Sequence, residues 1–95
     1  MFVVTLTYTA DLAEIDAALD DHVEWLGRQY ADGVLVASGR RAPRVGGVLL
    51  AVGVSRGDLD RRLATDPFHR RGLAEYDVVE FVASRVADGL ERLQS

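Results

Sequence analysis

The hydrophobic period changes once in the first thirty residues, and that change limits what the chain can fold into. Phe2, Val4, Leu6 and Tyr8 alternate with Val3, Thr5 and Thr7, the two-residue period of a strand with one strongly apolar face. From there Leu12, Ile15, Leu19, Val23, Leu26 and Tyr30 recur at steps of three and four, with Asp16, Asp20, Glu24 and Arg28 opposite. This predicts an amphipathic helix laid on a sheet. Asp11 and Glu14 stand in capping-box spacing at its start, where the helix dipole also favours acids.

Asp32-Gly33 ends that helix, and Val34-Leu35-Val36-Ala37 reads as a second strand. A Gly/Pro-rich loop, Ser38 to Gly47, leads into a third strand, Val48 to Val54. Asp58 to Ala64 reads as a short helix that Pro67 would stop, because proline disfavours the helical region for the residue before it. Tyr76 to Ala83 reads as a fourth strand, and residues 84–95 as a tail with a helical turn between Val86 and Leu93. The order β-α-β-β-α-β is the split pattern of a ferredoxin-like α+β sandwich, here expected as one domain over residues 1–95. Two helices cover only one face of a four-stranded sheet. Val48 to Val52 is nevertheless apolar on both faces, and Val78/Val82 oppose Val79/Phe81. A second copy is the economical cover, so a homodimer with sheets packed face to face is expected.

The 95 residues carry a net charge of −4, which argues against nucleic acid as a partner. Charge is unevenly spread: residues 40–71 hold eight Arg and three acids, whereas the segments on either side are acidic. With no cysteine, disulfides and thiolate chemistry are excluded. The longest apolar run, Val45 to Val54, is about half of the ~20 residues that cross a bilayer. No membrane partner is expected, and without a basic leader the chain is expected in the cytoplasm. Arg40, Arg41 and Arg44 in the loop could hold a carboxylate or phosphate through guanidinium forks, or simply be solvated. Gly39 and Gly46-Gly47 supply no phosphate-loop or dinucleotide spacing.

Two stretches carry most of the remaining information. His22 lies three residues after Leu19 and four before Leu26, at the edge of the apolar stripe beside Ala18 and Trp25. It can be a core-edge histidine bonded to a backbone carbonyl, or a functional one. Asp66-Pro67-Phe68 can likewise be helix punctuation only.

Taken jointly and in order, several segments give the chain a resemblance to the YciI-like (YCII-related) family. They are His22-x-x-Trp25-Leu26, the Gly33 to Gly39 run, Pro43-Arg44-x-Gly46-Gly47, Asp66-Pro67-Phe68 and Gly72-Leu73-Ala74-x-Tyr76-x-Val78-x-x-Phe81. The resemblance spans about residues 2–84. It implies a dimeric ferredoxin-like fold with a small cleft, in which His22 and Asp66 form a catalytic pair, with Ser38, Gly39, Arg44, Pro67 and Phe68 as substrate-binding residues. The chain departs from many relatives in continuing Ser38-Gly39 with Arg40-Arg41 rather than proline. His69 matches no motif residue and is expected at the surface.

An aspartate bonded to one imidazole nitrogen fixes the tautomer and leaves the other nitrogen to move a proton near neutral pH. On this reading His22 is the general base/acid and Asp66 its orienting partner. With no convincing nucleophile, proton abstraction fits better than acyl transfer, as in a lyase, an isomerase or an HX elimination on a small ring compound. Arg44, first among the local cations, would suit a small anionic or aromatic ligand. No cofactor is expected, and two histidines without H-x-H or H-x-x-x-H spacing do not make a zinc site. The alternative is a non-catalytic dimeric module that binds a metabolite or a protein through the same cleft.

Overall fold

The computed structural model describes residues 1–94. Its elements are β1 (Phe2–Tyr8), α1 (Leu12–Ala31), β2 (Leu35–Arg40), β3 (Gly46–Ala51), α2 (Arg56–Leu63), α3 (Pro67–Arg70), β4 (Ala74–Glu80) and a 3-10 turn, Glu91–Gln94. The four strands form one antiparallel sheet in the order β2-β3-β1-β4. Both crossovers skip a strand, which is the ferredoxin-like arrangement. The helices pack on the face carrying Phe2, Val4, Leu6, Leu35, Leu49 and Ala51, all buried.

The centre of the core lies on a different stripe of α1 from the one the apolar periodicity selects. Ile15, Ala18, His22, Trp25 and Gln29 are buried, whereas Leu12, Leu19, Val23 and Tyr30 are exposed. The helix is rotated so that a stripe containing two polar residues faces inward. Both have partners: His22 bonds Asp66, and Gln29 Oε1 accepts from Arg62. Trp25 fills the layer beneath, its indole N–H donating to Thr65 Oγ1 at 2.9 Å.

Other boundaries move for local reasons. Asp11 caps α1 through its backbone carbonyl and makes no side-chain cap bond, so the capping box is absent. Ser38, Gly39 and Arg40, expected in a loop, pair with Leu49, Val48 and Gly47 and belong to β2. Gly46 and Gly47 likewise join β3, opposite Thr7 and Leu6. Pro67 does not stop the second helix, which already ends at Leu63. It instead opens α3 at the first helical positions, behind Asp66 as N-cap. β4 runs from Ala74 to Glu80, two residues earlier at its start than expected. The expected terminal turn is confined to Glu91–Gln94, and the tail's last residue lies outside the described residues.

The sheet's second face carries Val3, paired on either side with Leu50 and Val79, and Val48 opposite Thr5. Val79 is 60% exposed in this single chain. Among the described residues no helix is long and apolar enough to cross a membrane.

The closest backbone approach is at Gly46, where a Cβ would stand 1.7 Å from the Leu6 carbonyl oxygen. Gly46→Ala therefore forces β3 away from β1. It is expected to destabilise the chain by about 1–3 kcal/mol, the usual cost of overpacking, read as a lower urea midpoint with an unchanged m-value.

Candidate active site

Three elements converge on one buried carboxylate. Asp66 is fully buried at the N-terminus of α3. Its Oδ1 accepts from His22 Nδ1 of α1 at 2.7 Å and from the Phe68 backbone N–H at 3.1 Å. Its Oδ2 accepts from the Tyr76 hydroxyl of β4 at 2.5 Å. A buried carboxylate is tolerable only with such compensation, and the bond to Phe68 is simultaneously the helix cap.

The second imidazole nitrogen is placed differently. No hydrogen bond to His22 Nε2 occurs among the described residues, and no buried side-chain nitrogen there lacks a partner, so Nε2 reaches solvent. With Nδ1–H directed at the carboxylate, Nε2 carries the free lone pair. Phe68 stacks on the imidazole with ring centroids 4.0 Å apart and planes 6° from parallel, and Tyr8 meets Phe68 edge-on. The ring therefore has little freedom to turn.

His22 opens onto a cleft of about 160 Å³ between α1 and the β2–β3 side of the sheet. Leu19, Val23 and Leu26 form its α1 wall, Leu6, Leu49, Gly46 and Gly47 its floor, and Ser38, Gly39 and Arg40 its outer rim, with Tyr8 and Phe68 beside the histidine. Leu19 and Val23 are thus exposed because they line a cavity. A dry cavity of about 150 Å³ accommodates one benzene-sized ring, and this cleft has about that volume. A larger hollow of about 470 Å³ lies between Asp21, Glu24, Arg28, Thr65, Pro67, Arg70 and Arg71. It does not contain the His-Asp pair, and two of its arginines are occupied by Glu24 and Asp21.

Of the residues singled out from the sequence, His22 and Asp66 are in direct contact, and Ser38, Gly39 and Phe68 line the same cleft as His22. Ser38 Oγ shares a 2.7 Å hydrogen bond with the Tyr30 hydroxyl. Arg44 is elsewhere: it pairs with Asp16 on α1 and is not among the cleft residues. Pro67 borders the larger polar hollow and acts on the site only by shaping α3. His69 is exposed, with its ring edge-on to Tyr76 at 5.3 Å. The sequence reading missed Tyr76 as a partner of Asp66 and Leu19 and Val23 as cleft walls. Tyr76 could have been found from its inward phase on β4, opposite Leu6. Among the described residues no group of three or more His, Asp or Glu side chains could hold a metal ion.

A ferredoxin-like sheet with a buried His-Asp pair under a one-ring cleft defines a class of small α+β domain. Within that class the chain belongs to the YCII-related family, whose domain matches residues 1–82. No curated protein sequence matches the chain. Among solved structures it is similar to the 5-chloro-2-hydroxyhydroquinone dehydrochlorinase TftG of Burkholderia phenoliruptrix AC1100, in complex with 2,5-dihydroxybenzoquinone. The TM-score is 0.71 at 16% identity, over 85% of this chain and 93% of that one. At this identity the likeness is one of fold.

Burial, and then the neighbouring Asp66 charge, raise the Tyr76 phenol far above its usual range. In the unfolded chain a tyrosine ionises near pH ~10. The native state, which keeps the phenol protonated, therefore has this contribution in full below that pH and loses it progressively above. Wild-type stability is expected to fall on titration past pH ~10, measured by urea unfolding across the alkaline range. Tyr76→Phe removes the donor to Oδ2. It is expected to cost about 1–3 kcal/mol at neutral pH and to show a shallower alkaline decline.

Proposed function

We propose that this chain is a small-molecule acid/base enzyme of the lyase or isomerase type, with His22 as general base and Asp66 as its orienting partner. The observation that carries the reading is the division of the imidazole: Nδ1 is held by a buried carboxylate and Nε2 opens into a cleft the size of one ring. Nε2 takes a proton from the bound ring compound. Asp66 stabilises the imidazolium that forms without itself accepting the proton, as in other carboxylate–imidazole pairs. In the elimination form of the reaction, the electron pair of the broken C–H or O–H bond moves into the ring as a new double bond. A halide leaves from the ring carbon, giving HX overall with no oxidant or reductant. The fold shared with a dehydrochlorinase supports that form.

The second face of the sheet supports a homodimer. Val3, Val48, Leu50 and Val79 form a continuous apolar surface across three strands, with Phe81 and Val82 exposed just beyond β4. In the dimer two such faces pack together, leaving the α1 cleft of each copy open on the outer side. Light scattering after gel filtration is expected to give twice the 10.4 kDa chain mass. Val79→Glu, which places a charge on that face beside Val3, is expected to give monomers; a wild-type monomer would refute the dimer.

The catalytic reading is tested with 5-chloro-2-hydroxyhydroquinone as probe and chloride release as readout. Wild type is expected to release chloride above the buffer rate, and His22→Ala to lower the enzymatic rate by about 10²–10⁴-fold, the range of general-base contributions. Equal rates in the two proteins would remove His22 from the chemistry. Saturable binding of 2,5-dihydroxybenzoquinone at His22, without turnover in wild type, would identify the non-catalytic binding module instead.

A further inference from the structure

The cleft has an uneven charge pattern that the His-Asp pair does not explain. Its lining contains no aspartate or glutamate, although the chain is acidic overall. Apart from His22, its one ionisable basic group is Arg40, on the rim opposite the histidine. Arg40 is also unlike its neighbours in the chain. Arg41 donates to Thr7 Oγ1 and Arg44 pairs with Asp16, whereas no side chain among the described residues accepts from Arg40. An arginine left without a carboxylate, at the rim of a cleft without acids, keeps all its donors available to a ligand.

The strand register gives the direction. Arg40 lies opposite Gly47, Gly47 opposite Leu6, and Leu6 opposite Tyr76. Residues directly opposite in an antiparallel sheet point to the same face, and Leu6 is buried on the helix-covered face. Arg40 therefore belongs to the row that ends at Tyr76 and, through it, at Asp66 and His22. Three inter-strand steps of about 4.8 Å separate the two ends of the row. Between them Gly47 contributes no side chain, which leaves the floor of the cleft open where a ring would lie.

We infer that Arg40 is the anion-holding residue of this cleft, and that the ligand is a single-ring compound carrying one anionic oxygen group, held at Arg40 with its ring over Gly47. The inference rests on the cleft being the working site, as proposed above, and adds to it the charge and polarity of what binds. A ring bound in this orientation presents its far side to His22 Nε2. Arg40 is then also placed to stabilise an oxygen that gains charge as the proton leaves.

The test is an NMR titration of the full-length chain with three one-ring probes: benzoate, 4-nitrophenolate and neutral benzamide. At least one anion is expected to shift resonances of His22, Leu49 and Phe68 and to bind ten-fold or more tightly than benzamide. Comparing benzoate with 4-nitrophenolate separates a carboxylate preference from a phenolate one. In Arg40→Gln the anion is expected to weaken to the benzamide level while benzamide binding stays unchanged, and Arg40→Lys should restore part of the difference. Arg40 is exposed, so the variants are expected to melt within a few degrees of wild type. Equal binding of anions and benzamide, or a preference that survives in Arg40→Gln, overturns the role of Arg40 and leaves the cleft intact as a site. Binding of all three probes elsewhere, or nowhere, overturns the working-site reading and this inference with it.

Discussion

The Asp66 carboxylate is the point on which the arrangement depends. It receives donors from α1, from the first turn of α3 and from β4, and so ties three elements together at one point. Its charge is acceptable in a fully buried position because each oxygen has a short, directed partner. Losing any one donor leaves the others carrying an under-compensated charge. The same bonds that make the carboxylate tolerable also fix the orientation of the imidazole, so one arrangement serves both stability and the geometry of the cleft.

The rotation of α1 follows from this. A stripe containing His22 and Gln29 can face inward only because Asp66 and Arg62 are there to meet it. The more apolar flank with Leu19 and Val23 is then turned towards the cleft. Periodicity makes the helix and its length legible from the sequence. It does not give the helix phase, because a residue lining an empty cavity and a residue in the core have the same chemistry. The strand order was legible for a simpler reason: a β-α-β-β-α-β chain with short connections leaves few ways to build a sheet.

The site was legible unevenly. The meeting of His22 and Asp66, far apart in sequence, came from family resemblance and from nothing in the spacing. Arg44 stood out because it sits in a loop with glycine and proline. Asp16, one turn into α1, takes it away from the cleft, a pairing no local pattern reveals. Tyr76 was hidden as an ordinary inward strand residue. Ser38 and Gly39 were placed in a loop because serine and glycine are poor strand formers, yet β3 offers them a ladder, and the pairing overrides the preference.

The position of β2 at the edge of the sheet has a consequence for how the protein can change. Residues 37–40 are exposed and contribute nothing to the buried core, so substitutions there alter the rim of the cleft at little cost; exposed changes of this kind usually stay within about 0.5 kcal/mol. The His22–Asp66 pair, by contrast, is tied into three elements at once. Such a scaffold separates a rigidly held pair from a freely adjustable entrance, and the lining of the cleft can change on one short strand without reopening the problem of folding.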